Sequence, residues 1–134
     1  MTVSKRVADE PGPVAQPKSG VGTVLVVEDA DGLRALVVRV LQRQGYTVLP
    51  AADAEEAIRL FDQNPSIDVV LTDLEMPGGS GQALAAELVK RNPALKVVYM
   101  SGVHDGGLEP GIIFLQKPFT AGALGGKIRE ALGR

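Results

Sequence analysis

Short uninterrupted apolar runs alternate along the chain with stretches in which apolar residues recur every three or four positions. Thr23-Val-Leu-Val-Val27, Val69-Val-Leu-Thr72, Lys96-Val-Val-Tyr-Met100 and Ile112-Ile-Phe-Leu-Gln116 are rich in β-branched residues and lack polar alternation. Strands buried on both faces have this texture. Tyr46-Thr-Val-Leu-Pro50 is a fifth candidate, and its proline suits an edge, where no ladder donor is needed. Between the runs the period becomes 3.6. Leu33, Leu36, Val37, Val40 and Leu41 form one helical stripe that Gly45 ends; Ala54, Ala57, Ile58 and Phe61 form a second. Asp53 stands as N-cap of the second, with Glu56 as its capping-box partner. A third helix is expected from Ser80 to Arg91 with Leu84 and Leu88 inward, and another from Thr120 with Leu124, Ile128, Ala131 and Leu132. Strands alternating with helices imply a parallel sheet covered by helices on both faces, because crossovers are right-handed.

Composition narrows the classes. A chain of 134 residues, 45% hydrophobic and 22% charged, can bury one core but hardly two. Residues 1–20 stand apart: Pro11, Pro13, Pro17, Gly12 and Gly20 sit among scattered charges with no periodicity, as in a disordered tail or linker. The 14 basic residues against 16 acidic ones leave a net charge of -2, which argues against electrostatic capture of nucleic acid. The absence of cysteine excludes disulfides, thiolate metal sites and a cysteine nucleophile. No apolar run approaches the ~20 residues of a membrane helix. The first residues lack the apolar stretch of a signal peptide, so the cytoplasm is the expected address.

In open parallel sheets the functional site lies at the carboxyl ends of the strands. Glu28 and Asp29 follow the first run, Asp73 ends the third, Ser101 the fourth, and Lys117 the last. Three carboxylates gathered at one rim repel one another unless a hard, oxygen-loving cation such as Mg²⁺ joins them. The set suits phosphoryl transfer to a carboxylate, in which cation, ammonium and hydroxyl share the charge on the phosphoryl oxygens. Asp73 is the nucleophile in that reading. An exposed aspartate is ionised at neutral pH and needs no base.

Glu28-Asp29, Val69-Val-Leu-Thr-Asp-Leu-Glu-Met-Pro77 with Gly78-Gly-Ser-Gly81, Tyr99-Met-Ser-Gly102 and Gln116-Lys-Pro-Phe119 together resemble the receiver domain of bacterial response regulators, over roughly Thr23 to Leu132. The resemblance implies that Asp73 is the phosphoacceptor and shares in binding Mg²⁺. Asp29 is then a direct metal ligand, Glu28 a ligand through water, and the backbone carbonyl of Glu75 the third protein ligand. Ser101 and Lys117 would bind phosphoryl oxygens, Phe114 would be the aromatic that moves with Ser101 on switching, and the Lys117-Pro118 bond would be cis. The expected fold is α/β: a doubly wound, five-stranded parallel sheet of flavodoxin type in the order 2-1-3-4-5. Residues 21–134 form the receiver. The implied function is that of a two-component phosphoacceptor that takes its phosphoryl group from a histidine kinase or phosphotransfer protein. It would then act on an effector protein or self-associate, with no nucleic acid or membrane contact of its own. On this reading the domain is no enzyme beyond catalysing its own phosphorylation and dephosphorylation.

One departure concerns residues 102–116. Gly102, Gly106, Gly107, Pro110 and Gly111 fall where the family fits a full helix, so the fourth helix is expected to be shortened or missing, and output is not expected to use a fourth-helix dimer. The motif wording is similar to receivers attached to hybrid sensor kinases, which leaves a stand-alone receiver and the excised receiver of a hybrid kinase in a phosphorelay both open. A phosphorylation-independent pseudo-receiver is a further class, as is a haloacid-dehalogenase-like phosphatase using Asp73-Leu-Glu75. That phosphatase family carries its motif after the first strand, whereas Asp73 follows the third.

Overall fold

The computed structural model describes residues 22–76, 79–102 and 112–133. Five strands, β1 (Thr23–Val27), β2 (Thr47–Ala51), β3 (Val69–Asp73), β4 (Lys96–Ser101) and β5 (Ile113–Gln116), form one sheet in the order β2-β1-β3-β4-β5. Every neighbouring pair is parallel. The helices are α1 (Asp31–Arg43), α2 (Ala54–Gln63), α3 (Gly81–Arg91) and α4 (Ala121–Ala131). The expected strand order is therefore found, and β2 with Pro50 lies at an edge. The tail at residues 1–20 and residues 103–111, where a shortened or missing fourth helix is expected, lie outside the described residues.

β3 is buried along its whole length, as its unbroken apolar run requires, because both faces of the sheet are covered. On one face α1 and α4 bring Val37, Leu41, Leu124 and Ile128 against Val24, Val26, Leu71, Val98 and Met100. On the other, α2 and α3 bring Phe61, Leu84 and Leu88 against Leu25, Val27 and Val70. Truncating Leu71, fully buried at the centre, would cost ~2–5 kcal/mol through lost transfer energy and the cavity left behind. The α1 stripe is narrower than its spacing suggests. Leu36 is 50% exposed, since Val37 and Leu41 already fill the groove beneath the helix.

The helix ends follow their local chemistry. Asp53, Ser80 and Thr120 each accept a hydrogen bond from the amide three residues on, at 2.8, 3.0 and 3.0 Å. Glu56 reaches back one residue further than a standard capping box, accepting from the Ala52 amide at 2.8 Å. Gly45 ends α1 at φ 99°, a left-handed conformation that favours glycine. Lys117-Pro118 is cis, as the resemblance implied.

Candidate functional site

The backbone ladder extends past the strand ends and fixes the chain where the site begins. The Glu28 amide donates to the Ala51 carbonyl at 3.1 Å, Leu74 to Met100 at 3.0 Å, and Lys117 to Ser101 at 2.8 Å. The tight packing of α3 under the β3 end depends on Gly81, whose amide donates to the Leu74 carbonyl at 2.9 Å. A Cβ at Gly81 would run into the Asp73 carbonyl oxygen, with the Leu74 Cα only 3.1 Å away.

At this rim Lys117 joins two carboxylates. Its Nζ donates to Glu28 Oε1 and to Asp73 Oδ2, each at 2.7 Å, across 89 and 44 residues of sequence. The side chains of Glu28 and Asp73 are 1% and 7% exposed and that of Lys117 is 22% exposed, so the pairing lies largely out of water. Asp73 is thus buried rather than exposed as the sequence suggested; two buried carboxylates are tolerated because the ammonium lies against both. Burial pushes the Glu28 carboxyl above its ordinary value, and the hydrogen bonds from Lys117 and the Ala30 amide offset only part of that. For Lys117, burial works to lower the value, but the hydrogen bonds to Asp73 and Glu28 outweigh it and hold the ammonium above its usual range.

The remaining groups surround this pairing. Glu28 Oε2 accepts from the Ala30 amide at 3.1 Å, and Asp73 Oδ1 accepts from the Glu75 amide at 3.2 Å. Asp29 is exposed, yet one carboxylate oxygen from each of Glu28, Asp29 and Asp73 lies within 4.8 Å of the others. Two oxygens on one Mg²⁺ are at most ~4.2 Å apart, given bonds of ~2.1 Å, so an all-oxygen set of this spread suits that ion with small side-chain adjustment. Ser101 Oγ donates to both Glu75 oxygens at 3.3 Å. Phe114 is half-buried, paired in register with Tyr99 across β4 and β5.

All the sequence-predicted residues except Phe114 thus gather at one rim, though Ser101 meets the acidic cluster through Glu75. The Glu75 side chain, two residues past Asp73 where the resemblance implies an influence on hydrolysis, faces the site as well as its backbone. Arg34 was missed by sequence reasoning; it reaches the Glu28 carbonyl, and the only signal was a basic residue one turn into the helix after Glu28-Asp29.

The profile of the response regulator receiver domain matches residues 24–129. The chain belongs to that family. It is 34% identical to the sensor kinase CckA of Brucella abortus over 96% of its own length and 15% of that protein's. It is likewise 34% identical to the transcriptional regulatory protein TcrA of Mycobacterium tuberculosis, over 96% of this chain and 52% of that one. The chain therefore spans about half or less of these curated relatives. Among solved structures, the receiver domain of the hybrid histidine kinase CckA aligns with a TM-score of 0.73 and 35% identity, covering 83% of this chain and 99% of that one. A receiver domain protein from Clostridium thermocellum aligns at 0.77 and 32%, covering 85% and 96%. The receiver belongs to two-component signalling, and none of its described helices is long and apolar enough to cross a membrane.

Proposed function

We propose that Asp73 is the phosphoacceptor of this receiver and that its donor is the phosphohistidine of a histidine kinase or phosphotransfer protein. The observation that carries this reading is the Lys117 ammonium, 2.7 Å from Asp73 Oδ2 at the carboxyl rim of the sheet. A carboxylate oxygen of Asp73 attacks phosphorus, the O–P bond forms, and the P–N bond breaks with its electron pair remaining on the imidazole nitrogen. Lys117 moves its hydrogen bond from Asp73 to a phosphoryl oxygen, and the Ser101 hydroxyl turns from Glu75 to another. Glu28, Asp29, Asp73 and the backbone carbonyl of Glu75 would hold Mg²⁺, which when bound draws charge from the phosphoryl oxygens. The turn of Ser101 leaves room for Phe114 to move inward, which carries the change to an effector surface or a second copy. Attack by water on the acyl phosphate releases phosphate and restores Asp73. The domain turns over no other substrate, and its ATP-fed donors put the exchange in the cytoplasm.

The test is intact mass after incubation with acetyl phosphate and Mg²⁺. A single phosphoryl adduct, lost in Asp73→Asn and in EDTA, is expected. No adduct despite measured Mg²⁺ binding would replace this reading with a pseudo-receiver, and steady phosphate release from many phosphomonoesters would replace it with a phosphatase.

A further inference from the structure

Arg34 takes no part in the transfer just described, yet it is tied to the loop that carries two of its carboxylates. Its Nη1 donates to the Glu28 carbonyl at 2.9 Å and its Nη2 to Asp31 Oδ1 at 2.7 Å. Its side chain is only 22% exposed, while that of Asp31 is 89% exposed. The loop it grips is otherwise anchored at Glu28, whose amide donates to the Ala51 carbonyl and whose carboxylate accepts from the Ala30 amide and Lys117. The N-cap of α1 is Ala30, which offers no side-chain cap where serine, threonine or aspartate would normally anchor the first turn. Residues 28–30, Glu-Asp-Ala, include no proline to restrict the backbone. Within the described residues no hydrogen bond or ion pair holds the Asp29 carboxylate, so its placement depends on the peptide from which it projects.

That peptide begins at the Glu28 carbonyl, the group that Arg34 binds. We propose that Arg34 is a positioning residue for the cation site. By fixing the Glu28–Asp29 peptide plane, it keeps the Asp29 carboxylate near those of Glu28 and Asp73. The inference rests on reading these three carboxylates as the Mg²⁺ site. Its charge predicts the reverse of its geometry: a guanidinium beside a dication repels it, so a merely electrostatic neighbour would tighten binding when removed. The planar fork, by contrast, bridges a carbonyl and a carboxylate at once, and a lysine's single ammonium does so poorly.

The experiment is Mg²⁺ titration by isothermal calorimetry, without phosphodonor, of the wild type, Arg34→Ala and Arg34→Lys. Both variants are expected to bind about 10-fold more weakly, the scale on which groups that orient metal ligands act. The Mg²⁺ concentration giving half-maximal phosphorylation by acetyl phosphate should rise by the same factor. The rate at saturating Mg²⁺ should stay within about 2-fold, since Arg34 contacts no reacting atom. Wild-type or tighter affinity in Arg34→Ala would overturn the proposal, and so would full affinity in Arg34→Lys, because the fork that bridges the Glu28 carbonyl and Asp31 would then not be needed. If the wild type takes up no Mg²⁺, the reading of the site itself fails, and this inference with it.

Discussion

Replacing Lys117 by methionine keeps most of the side chain's volume and removes the ammonium that lies against Glu28 and Asp73. Each contact is 2.7 Å long, worth about 6 kcal/mol of gross Coulomb energy at an effective dielectric near 20. Little of that can appear as lost stability, because the variant has a less costly alternative. Glu28 can take up a proton, and its carboxyl already lies above its ordinary value of 4.5 through burial. Protonating a group of that reference value at about pH 7.5 costs no more than ~4 kcal/mol, at 1.36 kcal/mol per unit. The expected loss in EDTA is therefore about 3–4 kcal/mol, in the range found when one partner of a buried pair is removed. It should shrink to about 2 kcal/mol near pH 6, where the proton is easier to acquire. Mg²⁺ should stabilise the variant more than the wild type, since no ammonium then competes for the carboxylates. Urea denaturation followed by far-ultraviolet circular dichroism suits a chain without tryptophan, and comparing the two proteins at each pH cancels the other titrating groups. A loss under about 1 kcal/mol in EDTA at pH 7.5, or one that grows as the pH falls, would refute the reasoning.

Glu28 itself has a pH signature. Its folded value is raised, so its contribution to stability is complete below 4.5 and is lost as pH rises through the folded value. Glu28→Gln should therefore gain on the wild type in EDTA as the pH rises above 4.5, as read by melting temperature, and a constant difference would contradict this. Glu75→Ala removes the carboxylate to which Ser101 Oγ donates, and with it a negative charge that the incoming phosphoryl group must face. Phosphorylation by acetyl phosphate, followed by intact mass, should speed up about 5-fold, corresponding to ~1 kcal/mol. In Gly81→Ala the new methyl meets the Asp73 carbonyl, so stability should fall by ~1–3 kcal/mol and phosphorylation should slow with it. Asp53→Ala should cost ~1 kcal/mol by uncapping α2, while the phosphorylation rate stays at the wild-type value.

Patterning along the chain settles the order of elements, the sheet's parallel character and the rim at which chemistry gathers. These follow from local periodicity: β3 must be covered on both faces because Val69-Val-Leu-Thr72 offers no polar side, and Asp53, Ser80 and Thr120 cap the residues next to them in the chain. Which residues touch at the rim is a different kind of fact. Lys117 meets Glu28 from 89 residues away, and only the sheet order β2-β1-β3-β4-β5 brings the two together. The tertiary structure likewise decided that Asp73 is buried while Asp29 is exposed, that Leu36 turns to solvent, and that Arg34 folds back onto the Glu28 carbonyl. Periodicity reports which face of an element is apolar. Burial of a charge depends on whether a partner is delivered to it from elsewhere, and that is settled only once the strands are side by side.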